Sequence, residues 1–86
     1  MVDGILRHPD GGLILVELKT GNMNQGKLAR TRQELCYYNM ILQKLGYDEI
    51  THFLYIAPDY ELLTDREDKL LLERNAATQK NKSLLQ

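Results

Sequence analysis

Apolar residues fall along this chain in distinct rhythms, and each rhythm predicts an element. Val2, Ile5 and Leu6 lead into His8-Pro9-Asp10-Gly11-Gly12, where Pro and Gly stand as in a tight reversal. Residues Val2 to Arg7 therefore predict a strand entering a hairpin. Leu13-Ile14-Leu15-Val16-Glu17-Leu18-Lys19 is a continuous apolar run with two charges at its end, the pattern of a central strand covered on both faces. Thr20 to Gly26 is a polar, glycine-bounded loop. From Lys27 to Leu45 the spacing becomes helical, with Leu28, Leu35, Leu42, Leu45 and Tyr38 on one side at about 100° per residue. That predicts an amphipathic helix of about five turns, stopped by Gly46 at the C′ position. Ile50 to Ala57 is β-branched, aromatic and aliphatic and ends at Pro58-Asp59, a second buried strand. A strand, helix, strand unit of this kind closes right-handed with parallel strands.

The tail reads differently. Thr64-Asp65-Arg66-Glu67 matches a capping box ahead of Leu70-Leu71-Leu72, which predicts a helix from about Asp65 whose polar end, Gln79 to Ser83, frays.

Composition narrows the function classes. With 86 residues the chain is a single domain below the usual size of roughly 100–150, and its core is thin. One cysteine, Cys36, excludes a disulfide framework and a Cys-rich zinc site and points to a reducing compartment. Eleven Lys and Arg against twelve Asp and Glu exclude a uniformly basic nucleic-acid coat, although local patches remain open. No apolar run approaches the ~20 residues that span a bilayer, and Asp3 precedes any apolar stretch, so the expectation is a cytoplasmic protein with no membrane partner.

Three charges stand where solvation alone would not put them. Glu17 and Lys19 close the most apolar strand, share a face by alternation, and leave Leu18 on the other. Counting outward from Asp10-Gly11, Ile5 faces about Val16 and Asp3 faces about Leu18, within diagonal reach of both charges. Two carboxylates brought together repel unless a cation lies between them, and a hard ion such as Mg²⁺ suits oxygen donors. The plain alternative is a solvated Glu/Lys rim at a strand end. The apolar run leading into the triplet favours the ion, because buried charges need a partner.

Lys27, Arg30 and Arg32 make the following stretch locally basic, a phosphate-sized patch. Arg30, Gln33 and Tyr37 recur at i, i+3 and i+7 on one flank of the leucine stripe. His8 reads as a turn residue, His52 as a strand residue, and Cys36 as a small buried side chain.

Val2-Asp3-Gly4-Ile5, Leu15-Val16-Glu17-Leu18-Lys19-Thr20-Gly21 and Gln33-Glu34-Leu35-Cys36-Tyr37-Tyr38 together resemble the successive motifs of the PD-(D/E)XK nuclease superfamily. They are most similar to its RecB-like branch, with a strand aspartate, a (D/E)xKTG strand end and a QxxxY helix. The resemblance covers Val2 to about Ala57. It implies a partial restriction-endonuclease-like α/β core over residues 1–58, lacking its first helix and strand, with residues 59–86 as a helical extension. It also implies Asp3, Glu17 and the Leu18 carbonyl as ligands of Mg²⁺ or Mn²⁺, and Asp3, Glu17 and Lys19 as the catalytic set. Lys27, Arg30, Gln33 and Tyr37 would hold DNA. The implied activity is metal-dependent phosphodiester hydrolysis, in phage or bacterial recombination, repair or replication. The other reading is a non-catalytic nucleic-acid- or protein-binding remnant of this fold in a larger assembly. The short length then predicts an upstream segment, a partner chain or a second copy that completes the sheet.

Overall fold

The computed structural model describes residues 2–62 and 69–77. Five elements follow one another: β1 (Gly4–Arg7), β2 (Leu13–Leu18), α1 (Gln25–Lys44), β3 (Ile50–Ile56) and β4 (Leu70–Arg74). They make a small α/β domain with a four-stranded mixed sheet in the order β1-β2-β3-β4. β1 and β4 run antiparallel to their neighbours, and β2 and β3 are parallel, as the strand, helix, strand pattern predicts.

The hairpin turn sets the register of everything that follows. His8 N–H donates to the Gly12 carbonyl and Gly11 N–H to the His8 carbonyl, both at 3.0 Å, leaving Pro9, Asp10 and Gly11 as a three-residue loop. That is one residue more than the count from Asp10-Gly11 allows. Ile5 therefore pairs with Leu15 and Gly4 with Val16, a slip of one from the expected pairing. A slip of one moves a strand's side chains to the opposite face, and Asp3, one residue before β1, is bonded to Val16 and Leu18 on either side of Glu17. Gly12 is required here: its φ is +83°, and a Cβ would come within 2.4 Å of Thr51 Cγ2 on β3.

α1 begins two residues before the predicted Lys27, taking Gln25 and Gly26 out of the expected loop. Asn24 is the N-cap, its side-chain oxygen accepting the Lys27 N–H at 2.9 Å, and Gly46 follows the last turn at φ +89°. Leu28 and Leu35 are buried against Leu13 and Leu15 of β2 and Phe53 and Tyr55 of β3, with Tyr38 and Leu42 packed at the margin. Leu45 does not join them. It is the C-cap, just past the last helical residue, and is exposed. Two polar residues take inward places instead, Thr31 and Asn39, and the Thr31 hydroxyl is satisfied by donating to the Lys27 carbonyl.

Two expectations fail on the sheet. Among the described residues β2 is not covered on both faces: α1 packs on the side of Leu13, Leu15 and Glu17. The opposite side, built by Leu6, Ile14, Val16, Leu18, Leu54, Ile56, Leu70 and Leu72, leaves four leucines 43–58% exposed. Leu70, Leu71 and Leu72 are not helical. Leu70–Arg74 is β4, with Leu72 across from Leu54 and Leu70 across from Ile56, so the region counted as a helical extension supplies an edge strand to the same sheet. The start of that expected helix at Asp65 and its fraying end at Gln79 to Ser83 lie outside the described residues. No helix among the described residues is long and apolar enough to cross a membrane.

A charged cluster ties the layers together. Arg32 on α1 reaches Glu73 on β4 through two parallel bonds, Nε to Oε1 at 2.7 Å and one terminal nitrogen to Oε2 at 2.9 Å. The Tyr55 hydroxyl on β3 donates to the same carboxylate. Arg32 is thus withdrawn from the basic patch to which its sequence neighbours assign it.

Candidate functional site

The carboxyl ends of β2 and β3 carry the candidate chemistry. Lys19 N–H donates to the Ile56 carbonyl at 2.8 Å, so parallel pairing holds the backbone of the Glu17-Leu18-Lys19 segment to its last residue. On the other side, Asp3 N–H donates to the Val16 carbonyl at 3.0 Å, and the Asp3 carboxylate takes the Leu18 N–H at 2.8 Å. Asp3 thereby caps the end of the hairpin and brings its charge beside Glu17.

Glu17 is 7% exposed at the end of the apolar strand, and Lys19 Nζ lies 3.7 Å from its Oε1. Burial pushes the Glu17 carboxyl above its ordinary value, the Asp3 charge pushes it further, and Lys19 only partly opposes them. A hydrogen bond with the Asp3 side chain also favours the protonated form. The pair is short of positive charge. A divalent cation would reverse that balance, and the available donors, two carboxylates and the Leu18 carbonyl, are all oxygen and so fit a hard ion such as Mg²⁺ or Mn²⁺. Among the described residues, no group of three or more His, Cys, Asp or Glu comes together. Water and substrate oxygens would have to complete such a shell, as is usual for Mg²⁺.

The first turns of α1 stand beside Lys19, because the loop from Thr20 to Asn24 is short and the helix runs back along the sheet. A cleft of about 230 Å³ lies there, between Lys19, Gly21, Asn22 and Met23 on one side and Lys27, Arg30, Thr31 and Glu34 on the other. Gln33 and Tyr37 line a neighbouring groove with Arg30, Glu34 and Tyr38, and the exposed Tyr37 ring meets Tyr38 edge-on at 6.4 Å between centroids. Lys19, Lys27 and Arg30 are therefore brought together, and Gln33 and Tyr37 continue the same helix face. Asn22 and Glu34 also line these surfaces, and no feature of the sequence singles them out.

The remaining candidates fall away from this end. His8 and His52 stack at 4.1 Å in nearly parallel planes beside the hairpin turn, at the opposite end of β2. Burial lowers the affinity of His52 for a proton, with the His8 and Arg74 charges acting in the same direction. Cys36 is half-buried, and burial pushes its thiol up, as expected of an inert packing residue.

No family model, curated protein or solved structure matches the chain.

Proposed function

We propose that this domain is a metal-dependent phosphodiesterase. More particularly, we read it as a deoxyribonuclease of the RecB-like PD-(D/E)XK kind, with Asp3, Glu17 and the Leu18 carbonyl as metal ligands and Lys19 as the catalytic lysine. The observation that carries this reading is the buried Glu17 carboxyl, set beside Asp3, with Lys19 too weak to offset its burial and the Asp3 charge. Carboxylates disfavoured in this way cluster at functional sites.

Asp3, Glu17 and the Leu18 carbonyl would hold a cation whose chemistry would be to activate a water and neutralise charge on the phosphoryl oxygens. Asp3 and Glu17 fix its place at the strand end. Lys19, positioned by Glu17, places its ammonium where negative charge grows as the water oxygen bonds to phosphorus. The P–O bond to the leaving sugar oxygen then breaks, giving one phosphomonoester end and one hydroxyl end. Lys27 and Arg30 hold flanking phosphates without reading sequence, and Gln33 and Tyr37 support the strand along α1. The placement in recombination, repair or replication follows from the resemblance alone.

One observation favours the alternative, a binding module without catalysis: two carboxylates, and no third, converge among the described residues. Such a module works through Lys27 and Arg30 and tolerates loss of the strand-end charges. Mg²⁺-dependent cleavage of single- and double-stranded DNA separates the two. The expected result is cleavage that falls by about 10²-fold or more in both Glu17→Ala and Lys19→Ala. Cleavage that survives both substitutions would sink the assignment.

A further inference from the structure

We propose that the cleft between Lys19 and the first turns of α1 is a site for the terminal phosphate of a nucleic-acid strand. This rests on the nuclease reading and gives it a substrate class: strands that carry a phosphomonoester end.

The cleft is built by side chains from two segments. Lys19 comes from the end of β2, and Lys27 and Arg30 from successive turns of α1, with Asn22 and Met23 in the wall between. Met23 is buried and closes the floor. Lys27 Nζ lies 4.0 Å from where a Cβ on Gly21 would stand, so its ammonium reaches across the loop. Among the described residues no ion pair engages Lys27 or Arg30, whereas Arg32, two residues on, is fully committed to Glu73. The helix N-terminus does not make the site, since Asn24 already takes the Lys27 N–H.

Charge selects the ligand. Lys19 also faces Glu17, but with a cation held by Asp3 and Glu17 the three cations and the single carboxylate of Glu34 leave the lining with a formal excess of two positive charges. A phosphomonoester carries about −1.5 to −2 near neutral pH, whereas an internal diester carries one charge. The monoester is the better match, and a cleft of this size suits a phosphate with its sugar better than a length of duplex. Chemistry supports the same choice, because each hydrolysis that leaves a phosphate on the retained strand regenerates the group the cleft would hold. Sharing Lys19 with the proposed metal site places the anchored end next to the bond to be cut.

The test is fluorescence anisotropy with short, internally labelled single strands bearing a 5′-phosphate, a 3′-phosphate or hydroxyls at both ends, with Ca²⁺ in place of Mg²⁺ to suppress turnover. One phosphorylated strand should bind about 10-fold more tightly than the hydroxyl strand, the gain expected for charge-assisted hydrogen bonds, and the arm that gains identifies the end. Lys27→Ala/Arg30→Ala, changes at exposed helix positions, should reduce that ratio to near one. Equal binding of all three strands, or a preference that persists in the double variant, would overturn the proposal. If binding is equal but Mg²⁺-dependent cleavage stands, this inference fails alone. If no strand binds and none is cut, the nuclease reading fails with it.

Discussion

The two faces of the sheet are made of the same kinds of residue and have opposite fates. On one face Leu13, Leu15, Phe53 and Tyr55 disappear beneath α1, and on the other Leu6, Leu18, Leu70 and Leu72 stay near half exposed. Hydrophobic sequence alone did not decide this; the position of the one described helix did. The covered face also carries Glu17 at one end and the Arg32–Glu73 pair at its flank. Burial strengthens those charges' interactions, whereas the open face offers apolar area without a partner among the described residues.

The largest expected contrast is in packing. Leu15→Ala removes a side chain with no exposure and should cost about 2–5 kcal/mol, whereas Leu72→Ala, across the sheet, should cost less than about 1 kcal/mol. Urea denaturation of both variants checks this. Comparable losses would show that the second face is covered in solution.

Next in size is the clamp between the layers. Glu73→Gln should cost about 1–3 kcal/mol near pH 7, because it breaks a bidentate pair that is only partly shielded from water. It should also change the acid limb. Burial alone would raise the Glu73 carboxyl, but hydrogen bonds from Arg32 and Tyr55 and the Arg32 charge bring it below its ordinary value. A carboxylate depressed in the folded state stabilises above its unfolded value of 4.5, and that stability is lost as pH falls through the folded value. Denaturation midpoints measured from pH 7 downward should therefore fall in the parent and fall less in Glu73→Gln.

The smallest effect has the opposite sign. Glu17 is raised in the folded state, so the metal-free fold loses stability as pH rises through the range above 4.5. Glu17→Gln should therefore raise the melting temperature slightly at pH 7 without added metal. A lower melting temperature would mean that the Glu17–Lys19 pair is a structural asset, and the contrast between site and scaffold would dissolve.

Much of the scaffold was legible because periodicity is local. The body of α1, its Gly46 stop, the parallel pairing of β2 with β3 and the hairpin all follow from spacing and turn residues, whereas the first two residues of α1 read as loop. The register did not, since Pro9-Asp10-Gly11-Gly12 is compatible with a two- or a three-residue loop, and the structure takes the three-residue one. β4 escaped for a different reason. In Leu70-Leu71-Leu72 both sides of the strand are apolar, so alternation is invisible, and the preceding capping box suggests a helix. At the site, Asp3, Glu17 and Lys19 were legible as charges out of place. Arg32 was misplaced because its partner lies 41 residues away, a pairing with no signature in local spacing.

The central claim is that Asp3 and Glu17 together hold a divalent cation, and calorimetric titration with Mn²⁺ tests it most directly. The account predicts saturable binding by the parent chain, with proton release to the buffer that grows as pH is lowered toward the raised Glu17 value, and no binding by Asp3→Asn/Glu17→Gln. Equal Mn²⁺ binding by parent and double variant, or none by the parent, would contradict it.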